Sequence, residues 1–151
     1  MADSNPSLRS GGRLRGRAGA TPSLLIVEDD AAVGRAIERV LKRPEWQIRT
    51  VRSCEEARWL ISSLPYFDVA IIDIHLPDGS GIEVGQELLA AGAMREAVVY
   101  SAELGADVED ARTLGVFVHK TEGPQRLRSA VDSAMERARG SGSITPRGNG
   151  A

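Results

Sequence analysis

The sequence predicts an α/β fold, a doubly wound five-stranded parallel sheet with helices on both faces. Its 151 residues are a usual size for one domain. Short apolar runs alternate with segments of helical period along the chain, and parallel neighbours in a sheet require long crossover connections of this kind. Right-handed crossovers predominate in proteins, and they place helices on both faces of such a sheet.

The first elements are predicted from a short apolar run and the helical repeat that follows it. Ser23–Val27 is apolar and short, as in a parallel strand that is buried on both faces. Asp30 is a plausible N-cap for a helix that runs to Pro44, where the repeat stops. Trp46–Val51 is then predicted as the second strand.

Ser53 and Glu56 have the spacing of a capping box and predict the start of the second helix. The apolar face of this helix comprises Ala57, Leu60, Ile61 and Leu64. The remaining predicted elements are a strand over Phe67–Asp73, a helix over Ile82–Ala90, a strand over Ala97–Tyr100, a weaker helix over Val108–Leu114, a very short strand over Val116–Val118, and a last helix that Pro124 opens and that runs through Met135.

Composition divides the chain into a body and two tails. The Arg/Gly-rich residues 1–20 and the Gly/Ser-rich residues 140–151 are predicted to be disordered, because they lack the apolar content that offsets the entropy of ordering. The body, 21–139, carries 14 basic and 20 acidic side chains. We do not expect nucleic acid as a partner, since the tail arginines have no aromatic neighbours.

Several classes of protein are excluded by what the sequence lacks. No apolar run approaches the roughly 20 residues of a membrane span, and no secretory signal is visible. Cys54 is the only cysteine, so an internal disulfide and a cysteine-based metal cluster are excluded. We therefore expect a cytoplasmic protein.

Chemistry-bearing residues follow four of the predicted strands. Glu28 and Asp29 follow the first strand, Asp73 ends the third, Ser101 follows the fourth, and Lys120 follows the fifth. Ligands of parallel sheets bind beyond the carboxyl ends of the strands, so these residues are predicted to share one rim. Crowded carboxylates favour proton uptake or a bound divalent cation, and an all-oxygen ligand set favours Mg²⁺. Mg²⁺ and the lysine would balance the three negative charges.

Four motifs in this order, each after a predicted strand, resemble the receiver domain of two-component response regulators. They are Leu24–Asp30 with its acidic pair, Ile71–Gly81 after the third strand, Ser101-Ala102, and Phe117–Lys120. The likeness covers about residues 23–138, and the family includes the single-domain chemotaxis regulator, whose form this chain resembles. It implies a flavodoxin-like receiver fold for residues 21–139 and a signalling module, not an enzyme beyond its own phosphorylation and dephosphorylation.

The resemblance also implies a role for each residue of the rim. Asp73 would accept a phosphoryl group from a phosphohistidine on a sensor histidine kinase or a histidine phosphotransfer protein. Mg²⁺ would be bound by Glu28, Asp29, Asp73 and the backbone carbonyl of His75. Phosphoryl binding and switching are implied for Ser101, Lys120 and Phe117. The imidazole of His75 would face the phosphoryl group.

Output is expected through a changed protein-binding surface that a downstream effector protein recognises, with no attached output domain. The alternative is a constitutive interaction domain that keeps the fold and is not controlled by phosphorylation. The intact acidic set favours the phosphoacceptor. A flavin carrier of similar fold is disfavoured, because the chain has no phosphate-binding loop after the first strand and the acidic residues there would repel a flavin phosphate.

Overall fold

The computed structural model describes residues 21–63 and 65–140 of the protein. Its strands, in chain order, are β1 (Ser23–Val27), β2 (Gln47–Val51), β3 (Phe67–Ile72), β4 (Met94–Ser101) and β5 (Val116–His119). Within the described residues they form one parallel sheet in the order β2-β1-β3-β4-β5. The predicted fold class is confirmed.

Helices cover both faces of this sheet. They are α1 (Ala31–Leu41), α2 (Cys54–Ser63), α3 (Gly81–Ala90), α4 (Ala106–Leu114) and α5 (Pro124–Gly140). Helices α2, α3 and α4 pack on one face, while α1 and α5 pack on the other. A small antiparallel hairpin, His75–Leu76 with Gly79–Ser80, follows β3, and a 3-10 turn, Lys120–Glu122, follows β5. Within the described part of the chain, no helix has the length and apolar character that crossing a membrane requires.

The packing of β1, an inner strand of the sheet, explains why its sequence is apolar. Leu25 and Val27 point into the cluster beneath α2, α3 and α4, whereas Leu24 and Ile26 point into the cluster beneath α1 and α5. All four are fully buried, because successive side chains of a strand point to opposite faces and both faces are covered.

Most predicted elements are found, with differences at their ends. Strand β4 begins at Met94 instead of Ala97, since Arg95 and Glu96 interrupt the apolar pattern although they belong to the strand. Helix α5 extends to Gly140, one residue into the predicted tail. Leu64 and the predicted disordered tails, apart from residue 140, lie outside the described residues.

The predicted helix caps are partly confirmed. The Asp30 side chain accepts hydrogen bonds from the backbone N–H groups of Ala32 and Val33, as an N-cap does. The Ser53 hydroxyl accepts from Glu56 N at 3.1 Å. The prediction that Glu56 completes the capping box at Ser53 N is wrong. The Glu56 carboxylate accepts from Arg52 N at 2.6 Å, one residue before the serine.

A second cap of α2 comes from a distant part of the chain. Asp78, in the hairpin that follows β3, accepts from Cys54 N at 2.8 Å and from Glu55 N at 2.9 Å. These backbone hydrogen bonds lower the pKa of the Asp78 carboxyl. Carboxylates at a helix N-terminus are stabilised by its unpaired N–H groups. The hairpin is therefore fastened to α2.

We expect Asp78→Ala to lower the free energy of unfolding. A carboxyl whose pKa is depressed by folding stabilises the protein above its ordinary pKa, about pH 4, and this contribution is lost as pH falls through the folded value. Thermal unfolding of the parent and the variant should differ at pH 7 and converge in acid. Asp110→Ala, at an exposed position on α4, is the charge-matched control. An equal loss at pH 7 and in acid would contradict the cap.

A buried carboxylate, Asp68, lies at the end of the sheet where β1 and β3 begin. Asp68 is 1% exposed, and its Oδ2 accepts from Ser23 N and from an Arg139 Nη1, both at 3.0 Å. This cluster joins the start of β1, the start of β3 and the last turn of α5. The end of the sheet away from the rim is thereby held by charge-assisted hydrogen bonds.

Candidate functional site

The ends of four strands bring the predicted rim residues together. Glu28 follows β1, Asp73 follows β3, Ser101 is the last residue of β4, and Lys120 follows β5. Neighbouring parallel strands end at the same edge of a sheet, so the order β1-β3-β4-β5 places these side chains side by side.

Asp73 is contacted by two donors at the centre of this edge. Ser101 Oγ donates to Asp73 Oδ1 at 2.7 Å, and Lys120 Nζ lies 3.0 Å from Asp73 Oδ2. The same ammonium lies 3.0 Å from Glu28 Oε1. Each oxygen of the aspartate therefore has a donor of its own, and the lysine bridges two carboxylates.

Burial gives these charges their electrostatic character. Glu28, Asp73 and Ser101 are 2%, 8% and 1% exposed. Burial raises the pKa of Glu28, and the contact with Lys120 only partly opposes this. Burial alone would lower the pKa of Lys120, but its contacts with Asp73 and Glu28 outweigh burial and raise it. The lysine is therefore held as a cation between two acidic groups.

The acidic side chains fit a divalent cation. One carboxylate oxygen from each of Glu28, Asp29 and Asp73 lies within 4.8 Å of the other two. Glu28 Oε2 accepts from Asp30 N at 3.1 Å, whereas the buried Oε1 meets Lys120 Nζ without accepting a well-formed hydrogen bond. An all-oxygen set with an incompletely satisfied buried oxygen suits a hard ion such as Mg²⁺.

A family model for the response regulator receiver domain matches residues 24–132. The chain belongs to this family. The cell cycle response regulator CtrA of Brucella ovis is 27% identical over 121 residues, which are 78% of this chain and 51% of CtrA. The response regulator protein PilR of Pseudomonas aeruginosa is 39% identical over 62 residues, 41% of this chain and 14% of PilR. The chain thus spans about half or less of these curated relatives.

Solved structures share the fold of this receiver domain. A CheY-like response regulator receiver domain from Methanospirillum hungatei JF-1 superposes with a TM-score of 0.70 at 18% identity, covering 81% of this chain and 99% of that one. The phosphorylated cyanobacterial phytochrome response regulator RcpA superposes with a TM-score of 0.62 at 24% identity, covering 78% and 94%. At these identities the likeness shows the fold alone.

The imidazole of His75 lies on the α4 side of the receiver domain's rim. Its Nε2 is 3.2 Å from Glu103 Oε1 and 3.8 Å from Asp107 Oδ2. The ring lies against these two carboxylates, and its place beside a phosphoryl group on Asp73 stays a prediction. That the backbone carbonyl of His75 binds Mg²⁺ stays a prediction.

Phe117 is half-buried and packs against the core cluster beneath α2, α3 and α4. Its ring and that of His119 pack at an angle, with the centroids 6.3 Å apart. Core packing is therefore one role of this side chain, and its part in switching stays a prediction.

Two residues near the rim were not predicted from the sequence as site residues. Arg52 follows β2 and approaches the backbone carbonyl of Asp29 with Nη2 at 3.2 Å and Nε at 3.4 Å. The strand-end rule that found the others could have found it, because β2 lies beside β1. His119 precedes Lys120, and its ring bonds to the backbone carbonyl of Ala102, the residue after β4. Nothing in the sequence alone indicated that bond.

Proposed function

We propose that this receiver domain is the phosphoacceptor of a two-component system, and that Asp73 receives the phosphoryl group. The observation that carries the proposal is the buried Asp73 carboxylate, whose two oxygens are contacted by Ser101 Oγ and Lys120 Nζ beside further acidic groups. In this proposal the donor is a phosphohistidine on a sensor histidine kinase or a histidine phosphotransfer protein. The transfer takes place in the cytoplasm.

The transfer is a substitution at phosphorus. A carboxylate oxygen of Asp73 forms a bond to the phosphorus, the bond from phosphorus to the donor imidazole nitrogen breaks, and that nitrogen keeps the electron pair. The Lys120 ammonium and the Ser101 hydroxyl are placed to donate to phosphoryl oxygens. When bound by Glu28, Asp29, Asp73 and the His75 carbonyl, Mg²⁺ supplies positive charge that offsets the charge on those oxygens. Positioning and charge neutralisation are most of what this reaction needs.

The proposal is tested by phosphorylation with a small donor. With Mg²⁺ and acetyl phosphate, intact-mass measurement should show one added phosphoryl group on the parent and none on Asp73→Asn. Asp30→Asn is the matched control: it makes the same chemical change near the rim, and asparagine is an equally good N-cap, so the adduct should remain. An equal adduct on Asp73→Asn would remove Asp73 from the proposal.

A second candidate function is favoured by one observation. Ser101 Oγ donates to Asp73 Oδ1 at 2.7 Å, and this hydrogen bond between two buried side chains holds the hydroxyl in one place. A constitutive interaction domain, whose surface a partner recognises at all times, would use such a fixed arrangement. In the phosphoacceptor, by contrast, the hydroxyl would exchange this carboxylate oxygen for a phosphoryl oxygen.

The two candidates differ in what phosphorylation does to the surface of α4, β5 and α5, where we place the docking of a downstream effector protein. On phosphorylation we expect backbone amide shifts to cluster in residues 101–114 and 116–125, because the Ser101 hydrogen bond biases a two-state element that includes Phe117. A bias of ~1.4 kcal/mol changes a population ratio tenfold. Ser101→Ala should greatly reduce the shifts while phosphorylation continues. Shifts confined to the neighbours of Asp73 would favour the constitutive domain.

A further inference from the structure

The ring of His119 connects the end of β4 to the turn that follows β5. Nε2 lies 3.2 Å from the backbone carbonyl oxygen of Ala102, the residue after Ser101. Nδ1 lies 2.8 Å from Thr121 Oγ1 and accepts from Thr121 N at 3.2 Å. The ring thus has partners in two chain segments, and one of them, Ala102, is 17 residues from His119 in sequence.

These partners are satisfied by one form of the imidazole. A carbonyl oxygen can only accept, so the hydrogen bond to Ala102 requires a proton on Nε2. Nδ1 is then unprotonated and accepts from the Thr121 backbone N–H and hydroxyl, as its position requires. The neutral ring with its proton on Nε2 completes every contact.

The backbone around this ring is also fixed. His119 N donates to the Glu122 carboxylate at 2.8 Å, which together with the side-chain bond forms a capping box at the 3-10 turn. The ring also packs against that of Phe117 at an interplanar angle of 64°. Lys120 is the first residue of this turn, so the direction of its side chain depends on how the turn is held.

We propose that His119 is a positioning residue, which ties the Ser101 end of β4 to the turn that carries Lys120. The two donors that contact Asp73 are then held as one unit. This inference rests on the proposed function for its effect on phosphorylation, but the tie itself can be measured without a phosphoryl group. A cap of the turn would need only Nδ1, whereas the tie needs Nε2 as well.

Two variants separate the cap from the tie. In His119→Asn the short amide can place its oxygen near the Nδ1 position and keep the cap, but it does not reach Ala102. In His119→Gln the longer amide can place its nitrogen near the Nε2 position and keep the bond to Ala102. Thr121→Val is the control, because it removes the hydroxyl contact and leaves both the backbone N–H and the tie in place.

Measurements begin on the unphosphorylated chain. Long-range ¹H–¹⁵N spectra of the imidazoles should show His119 with its proton on Nε2. In His119→Asn the amide resonances of residues 101–103 should move together with those of the turn, while stability in denaturant stays near that of the parent. Shifts restricted to residues 118–123 would overturn the tie and leave His119 as a cap only.

Phosphorylation by acetyl phosphate then tests the consequence. We expect the rate at Asp73 to fall at least about threefold in His119→Asn, because small displacements of positioned groups slow a reaction, and to recover toward the parent rate in His119→Gln. Thr121→Val should react like the parent. Parent-like rates in His119→Asn would overturn the positioning role. If the parent itself gains no phosphoryl group, the proposed function fails, and the amide shifts still decide whether the tie exists.

Discussion

Gly81→Ala should destabilise the domain by about 3 kcal/mol or more, at the upper end of what overpacking costs in a core. A Cβ at this position would lie 1.8 Å from the backbone oxygen of Asp73 and 2.9 Å from its carbonyl carbon. Gly81 N also donates to Ile74 O at 2.7 Å, so α3 and the segment Asp73-Ile74 meet backbone to backbone. Backbone atoms cannot relieve this overlap by rotating about a side-chain bond, as the end of a side chain can. Chemical denaturation at neutral pH measures the loss.

Gly85→Ala, one turn further along α3, is the matched control. Its added Cβ would lie 2.4 Å from Leu114 Cδ2, which is the end of a side chain that can change rotamer. Alanine also favours a helix over glycine by about 1 kcal/mol. We therefore expect a clearly smaller loss of stability. Similar losses for the two variants would mean that the close approach of α3 to Asp73 is not a special constraint.

Lys120→Met should slow phosphorylation of Asp73 by about 10²-fold, the usual effect of removing one preorganised donor from a site where charge develops. Methionine keeps an unbranched chain but leaves Glu28 and Asp73 buried without their shared cation. Breaking a buried ion pair is destabilising for this reason. The rate is measured by intact mass against time. Lys42→Met, at the chain's other lysine, should react like the parent, and a parent-like rate in Lys120→Met would contradict the role of the ammonium.

The pH dependence of Lys120→Met follows from two pKa shifts. The pKa of Lys120 is raised in the folded protein, so the lysine's stabilisation is complete below about pH 10 and is lost as pH rises through the folded value. The pKa of Glu28 is also raised, by burial, so its neutral form favours folding in acid and its ionised form opposes folding at neutral pH. The stability lost in Lys120→Met should therefore be large at pH 7 and decrease toward about pH 4. A constant loss would contradict this electrostatic origin.

The fold could be predicted from the sequence because the patterns of hydrophobic residues that mark buried strands and amphipathic helices are repeated along the chain. Buried strands such as β1 are continuously apolar, and each helix shows its own apolar face. Strand β4 was predicted too short because Glu96 lies within it. Its carboxylate accepts from Arg137 Nε at 3.0 Å, and a contact across to α5 cannot be read from the local pattern.

The sequence predicted which residues lie at the strand ends that form the rim, but it did not predict where side chains near the rim point. Chain order placed Asp73, Ser101 and Lys120 at one edge, and the structure brings them within hydrogen-bond distance. The direction of a side chain depends on neighbours from other elements. The His75 ring turns toward Glu103, and the Asp78 carboxylate reaches Cys54 N, 24 residues earlier in the chain. Neither contact has a sequence periodicity from which it could be inferred.

The strand order of the sheet has a consequence for folding. Asp73 is 28 residues from Ser101 and 47 from Lys120 along the chain, so the three meet only after several long loops have closed. Parallel pairings of this kind form slowly, because the entropy of loop closure is lost before the contacts are gained. A partly folded chain that lacks β5 has the aspartate but not its ammonium partner. On the proposed function, phosphorylation of Asp73 therefore requires that β5 has joined the sheet.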